Sequence, residues 1–120
     1  MKLEIGQFAR LKSGYSDELG IGKIDFIANC GVATIDFKNK KLGVFTENII
    51  KASYNIIDLI EVGDYVNGYK VLNVLDFNDN SKMLSLEKIY DSKITNEDIK
   101  SIVTKEQFEQ MVYKVGDDKK

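Results

Sequence analysis

Short stretches in which apolar and polar residues alternate run along most of the chain, and they predict a mainly β protein. Alternation is expected to place Ile24 and Phe26 on one face of a strand. It is expected to do the same for Ala33, Ile35 and Phe37 in the next strand. Asparagine and glycine between these stretches favour tight turns, so neighbouring strands should pair as hairpins.

The first half of the chain predicts five strands and a helical turn that runs from the N-cap Thr46 to Lys51. The second half repeats this order with a turn capped by Thr95. The five strands of the first half are expected at residues 3–11, 23–27, 33–37, 44–45 and 55–60. The strands of the second half are expected at residues 64–66, 70–75, 83–87 and 101–104.

Two short segments recur along the chain and indicate a tandem repeat. The residues at 4–9 (EIGQFA) return at 61–66 (EVGDYV), and those at 46–51 return more loosely at 95–100. The offset between the copies is 57 at the first segment (61 − 4) but only 47 at Lys23 and Lys70 (70 − 23). The first copy therefore carries about ten extra residues in a loop at 12–22, and extra loop length on a rigid scaffold often serves function.

The order strand, strand, strand, helical turn, strand resembles that of a small SH3-like barrel, and this resemblance implies two such barrels in tandem. The first module is expected at 1–60, the second at 61–116, and a disordered tail at 117–120. Thr104 and Gln107 have capping-box spacing and predict a helix at 105–111, with Phe108 and Met111 packed on the barrel. A last strand is expected at 112–115.

Composition indicates a folded protein of the cytoplasm. Hydrophobic residues make up 43% of the 120 residues and charged residues 30%, and no apolar run approaches the length that crosses a bilayer. The single Cys30 agrees with a reducing compartment. The net charge of −2 argues against strong nucleic-acid binding, for which Lys38, Lys40 and Lys41 form the densest basic group.

Catalysis is not expected, because the chain has no histidine and Cys30 has no imidazole to activate it. No cofactor or metal is predicted either. Oxygen donors from Asp76 to Glu87 partly match a calcium loop, but Ser81 stands where that loop needs glycine. A polar hairpin turn explains the same residues.

Binding is the remaining expectation, with the long loop and the acidic hairpin as its surfaces. Phe8 and Tyr65 occupy equivalent positions in the two copies and are expected in the cores. The candidate partner-binding residues are exposed tyrosines and carboxylates, namely Tyr15, Asp17, Glu18, Tyr69, Asp76 and Asp79.

The stretches at 55–71 (NIIDLIEVGDYVNGYKV) and 99–115 (IKSIVTKEQFEQMVYKV) resemble segments of small uncharacterised phage and prophage proteins of low-GC Gram-positive bacteria. This resemblance implies a phage accessory protein, and such proteins include inhibitors of bacterial immunity, anti-CRISPR proteins among them. It carries no site residues with it.

The leading hypothesis is a non-catalytic, phage-encoded protein that binds and inhibits or modulates a host enzyme, such as a CRISPR effector or another immune protein. The chain would act as a monomer or small homo-oligomer. One alternative is an SH3-like module that binds nucleic acid directly. Another is a sponge for a signalling nucleotide, with Lys23 and Lys70 among its contacts.

Overall fold

The fold is mainly β and consists of two antiparallel sheets followed by one short helix. The computed structural model describes residues 2–15, 19–38, 40–77, 82–88, 94 and 96–111. The predicted strand at 112–115, the tail at 117–120 and the cap Thr95 lie outside these residues. None of the helices in the described part of the chain is long and apolar enough to cross a membrane.

The first sheet contains five strands in the order β4-β3-β2-β1-β5, all antiparallel to their neighbours. Its inner face carries Ala9, Ile24, Ile35 and Val44, each at most 1% exposed, as the alternating sequence predicts. The strands are β1 (Phe8–Leu11), β2 (Ile21–Ile27), β3 (Val32–Asp36), β4 (Lys41–Phe45) and β5 (Ile49–Ser53).

The second sheet has four strands in the order β8-β7-β6-β9 and its own core around Val66, Val71 and Leu84. Ile57 and Ile60, which precede the second copy of the repeat, also pack into this core. The strands are β6 (Tyr65–Val66), β7 (Tyr69–Asp76), β8 (Lys82–Leu86) and β9 (Ile102–Val103).

The repeated segment forms the same turn twice, directly before β1 and β6. The N–H of Gln7 donates to the Glu4 carbonyl (3.3 Å), and the Gln7 Oε1 accepts from the Glu4 N–H (2.8 Å). Gly6 lies between them with φ of 98°. In the left-handed region a side chain is strained, which explains the invariant glycine of the two copies.

The second copy reproduces each of these contacts. Asp64 donates its N–H to Glu61 (3.1 Å) and accepts the Glu61 N–H (2.7 Å), with Gly63 at φ 99°. Gly6 and Gly63 donate to Ile24 and Val71, respectively, both at 2.9 Å. These partners are 47 residues apart (71 − 24), so the offset read from the sequence at this point is confirmed.

A β-bulge also recurs at the same place in both sheets and overturns one prediction. The register shifts between Ile24 and Phe26 in β2, and between Val71 and Asn73 in β7. The extra residue turns the following side chains to the opposite face. Phe26 is therefore 57% exposed and does not share the inner face with Ile24.

Two predicted elements of the first half are wrong. Thr46 does not cap a helix through Lys51, because it is itself the first residue of a short 3₁₀ turn at Thr46–Asn48 that has no side-chain cap, and β5 begins at Ile49. Residues 55–60 form no strand. They contain a 3₁₀ helix at Ile56–Leu59, and β5 occupies the place beside β1.

The C-terminal helix α1 spans Lys105–Met111, as predicted. The capping box is confirmed, since Gln107 N–H donates to Thr104 Oγ1 (3.1 Å) and Thr104 N–H donates to Gln107 Oε1 (2.9 Å). The Phe108 ring packs on Tyr65 with centroids 4.7 Å apart. Met111 is 71% exposed, so its predicted packing is wrong.

Candidate functional site

The outer face of the first sheet displays two exposed phenylalanines on neighbouring rows. Phe26 lies opposite Thr34, which lies opposite Gly43, and Val32 lies opposite Phe45 in the next row. Directly opposed residues of antiparallel strands share a face. We call Phe26, Val32, Thr34, Gly43 and Phe45 the outer face of the first sheet.

Both rings of this outer face are largely open to solvent, with 57% of Phe26 and 58% of Phe45 exposed. Val32 and Thr34 are half-buried between them, and Gly43 adds no side chain. An exposed apolar surface of this kind commonly marks a site where another protein binds. The β2 bulge creates it, because a regular strand would have pointed Phe26 into the core.

A row of alternating charges borders this face. Lys23, Asp36 and Lys41 are opposed across β2, β3 and β4, and Lys41 Nζ bonds to Asp25 Oδ2 at 2.9 Å. The hydrogen bond and charge of Asp25 raise the pKa of Lys41 above its ordinary value, against a small effect of burial. Lys23 Nζ lies 5.5 Å from the centre of the Phe8 ring. The border is thus close to neutral.

Arg10 lies on β1, on the same outer side of the first sheet, and joins the two sheets. It points away from the first core, because Ala9 and Leu11 alternate with it along β1. Only 2% of Arg10 is exposed. Its guanidinium bonds to both oxygens of Asp64 (2.6 and 2.9 Å) and to the Leu59 carbonyl (2.9 Å).

Asp64 is fully buried and accepts four hydrogen bonds. Two come from Arg10, and two come from the N–H groups of Glu61 (2.7 Å) and Lys105 (2.9 Å). Gln7 closes the equivalent turn of the first copy without a charge. The turn itself therefore does not need a carboxylate, and the charge of Asp64 serves Arg10.

Further charges surround this pair and balance one another. Glu106 Oε1 accepts from Arg10 at 2.9 Å, and Glu61 lies within 3.0 Å of Lys105 Nζ and 3.2 Å of Lys51 Nζ. Burial raises the pKa of Glu61, but the Lys105 hydrogen bond and the charges of Arg10 and Lys51 outweigh it. The pKa lies below the ordinary value of 4.5. Three cations face three carboxylates, so the joint is ionic and neutral.

The predicted partner-binding residues do not form one surface where the structure describes them. Tyr15 is half-buried and packs against the first core. Tyr69 and Asp76 are exposed but stand at opposite ends of β7, about 23 Å apart for seven steps along a strand. Asp76 pairs with Lys82. Asp17, Glu18 and Asp79 lie outside the described residues.

The three lysines of the nucleic-acid alternative do come together. Lys38 and Lys40 lie in the turn between β3 and β4, and Lys41 begins β4; all three are exposed. Lys41 is bound to Asp25, however, which reduces the positive charge that the group offers to phosphate.

Metal binding gains no support from the described residues. They contain no group of three or more carboxylate or cysteine side chains placed to hold an ion. Asp76 ends β7, and β8 occupies residues Lys82–Leu86 of the partial calcium loop before Glu87. The two strands pair as a hairpin, as expected.

Phe8 and Tyr65 occupy equivalent positions in the two sheets. Phe8 lies opposite Lys23, and Tyr65 lies opposite Lys70. Both are half-buried and belong to neither core, so the predicted core roles are wrong. They lie on the outer sides of their sheets, because Ala9 and Val66, the next residue in each strand, take the inner side.

The sequence did contain signals for the residues that were missed. Arg10 is the only arginine among 17 basic residues, and arginine is the usual choice for a buried ion pair. Phe26 and Ile27 are adjacent apolar residues, which breaks the alternation and indicates a bulge.

Comparison with known proteins assigns the chain to no family. No protein-family model, curated protein or solved structure matches it.

Proposed function

We propose that this chain is a non-catalytic binding protein that recognises another protein through the outer face of the first sheet. The observation that carries the proposal is the pair Phe26 and Phe45, both more than half exposed on one face. Aromatic side chains at the centre of an interface commonly supply most of its binding energy.

The contribution of these rings is enough to matter. Fully burying one large apolar side chain contributes about 1.5–3 kcal/mol, so burying the exposed half of both rings contributes about 2 kcal/mol together. The nearly neutral charge border suits a protein partner better than a polyanion. The nucleic-acid alternative is less well supported, because Lys41 is already bound to Asp25 and offers less positive charge to phosphate.

We interpret the scaffold as two SH3-like units in tandem. In support, β1 lies between β2 and β5 in the first sheet, and β6 lies between β7 and β9 in the second. The shared turn and shared bulge support a common plan for the two units. In this interpretation Arg10 fixes one unit against the other, and the partner binds away from the joint.

The partner in this proposal is a host enzyme, and the chain is a phage product that modulates it. The resemblance of residues 55–71 and 99–115 to phage proteins supports this choice. The test is affinity capture from a lysate of a low-GC Gram-positive bacterium. The tagged chain is expected to retain one protein specifically, and recovery of none would reject the proposal.

Two double variants locate the binding surface. Phe26→Ser/Phe45→Ser should lose the captured protein, because it removes both rings from the outer face. Leu72→Ser/Leu75→Ser is the matched control, since these residues of β7 are 51% and 41% exposed in the second sheet. Capture by the first variant and loss by the second would place the surface elsewhere. Circular dichroism should show that both remain folded.

A further inference from the structure

Strand β4 is a free edge of the first sheet, since among the described residues it pairs only with β3. The carbonyl of Lys40 accepts from Phe37 (2.8 Å), and the N–H of Thr46 donates to Gly31 (3.0 Å). Backbone groups alternate between the two sides of a strand, so residues 40, 42, 44 and 46 face β3. The N–H and C=O groups of Lys41, Gly43 and Phe45 therefore point outward from the sheet.

This edge is complementary to itself. If a second copy pairs antiparallel with Gly43 opposite Gly43, then Lys41 falls opposite Phe45 of the other chain. All three outward-facing residues then fall at hydrogen-bonded positions, which gives six backbone hydrogen bonds. A lysine opposite an aromatic ring is also a favourable cross-strand pair.

This register opposes no like charges among the residues of the edge. Lys40 falls opposite Thr46 of the second copy, and Lys41 falls opposite Phe45. The two-fold axis repeats each of these contacts.

The described elements leave room for a second copy. The second sheet joins the first through Arg10 on β1, and β1 is three strands away from β4 in the order β4-β3-β2-β1-β5. Gly43 is exposed and has no side chain at the centre of the edge. Pairing would also bring the outer faces of the two copies side by side, with Phe45 of each next to the junction.

We propose that the protein forms a two-fold homodimer through its β4 edges. The proposal does not depend on a host partner, because it concerns the chain alone. It extends the proposed function by making one continuous surface from two outer faces. Exposed lysines can also serve to blunt a strand edge against pairing. A protein that stays monomeric would show that Lys40 and Lys41 have this second role.

Sedimentation velocity over micromolar to millimolar concentrations tests the dimer directly. The wild-type chain should sediment as a dimer of the 13.6 kDa protomer. Gly43→Pro should be monomeric, because its lost N–H points outward and bonds to no backbone carbonyl among the described residues. Gly43→Ala is the matched control and should dimerise, since an added Cβ would lie 3.5 Å from Val32, an ordinary contact.

A charge placed in the opposed pair gives a second test that does not alter the backbone. Phe45→Lys should weaken dimerisation about tenfold, because the new ammonium falls directly opposite Lys41 of the second copy and symmetry repeats this contact. The double variant Lys41→Glu/Phe45→Lys should restore it. A wild-type monomer would overturn the proposal. A dimer that tolerates Gly43→Pro, or one that the double variant does not restore, would also overturn it.

Discussion

Replacing Arg10 by methionine should remove the ionic link between the two sheets while keeping an apolar stem of similar length. The side chain is 2% exposed and loses four hydrogen bonds, to Asp64, Leu59 and Glu106. Asp64 stays fully buried and keeps only the N–H groups of Glu61 and Lys105 as donors.

The expected cost is large because one buried charge is left without its partner. Removing one member of a buried ion pair typically lowers the free energy of unfolding by about 3–5 kcal/mol. Two remaining donors stabilise Asp64, so we expect the lower end, about 3 kcal/mol. Lys51→Met is the matched control: its ammonium also pairs with Glu61 but is 39% exposed, and such pairs contribute about 0–1 kcal/mol.

Urea unfolding at neutral pH, followed by circular dichroism, measures both effects. A double-mutant cycle with Asp64→Asn isolates the pair, since the amide oxygen can still accept the Glu61 N–H, as Gln7 accepts the Glu4 N–H. We expect a coupling energy of about 2 kcal/mol between positions 10 and 64. Equal small losses for Arg10→Met and Lys51→Met, or additive effects in the cycle, would refute the role given to Arg10.

Three further predictions concern Glu61, Gly63 and Tyr54. Because the pKa of Glu61 is lowered by folding, its contribution to stability is present above the ordinary value of 4.5 and is lost as the pH falls through the folded pKa. The stability difference between wild type and Glu61→Gln should thus shrink from pH 7 to pH 3, and a constant difference would contradict this. Gly63→Ala should lower the free energy of unfolding by about 1 kcal/mol or more, because φ is 99°, whereas Gly43→Ala should change it by less than about 0.5 kcal/mol. The hydrogen bond to Glu4 raises the pKa of Tyr54, so its phenol should titrate at lower pH in Glu4→Gln, as followed by ultraviolet absorbance.

Local patterns predicted much of the fold. Alternation located most strands, and the repeated segment identified an identical turn in both halves because Gly6 and Gly63 must adopt a positive φ. The Thr104 and Gln107 spacing predicted the helix start, because a capping box depends only on residues three apart.

The errors arose where contacts between distant segments decide the structure. Residues 55–60 alternate poorly, and the place beside β1 goes to β5 because of pairing that local sequence does not reveal. Phe26 faces solvent because a bulge in β2 shifts the register. Such shifts depend on how two strands pair, so a single strand cannot show which face its side chains will take.

The candidate site was the least predictable part. The sequence pointed to loops with acidic and tyrosine residues. The exposed Phe26 and Phe45 instead lie on strands β2 and β4 and are 19 positions apart in the chain (45 − 26). Only the pairing of β2 with β3 and of β3 with β4 brings them onto one face. Arg10 and Asp64 are similarly 54 residues apart and meet only in the folded protein.

In the proposed function, the outer face of the first sheet is the binding surface. Nuclear magnetic resonance of the isotope-labelled chain, titrated with the captured protein, tests it most directly. Backbone amide shifts should concentrate at Phe26, Thr34, Gly43 and Phe45, with few changes in β7 and β8. Shifts that concentrate at Tyr69 to Asp76 of β7, and leave the first sheet unchanged, would contradict the claim.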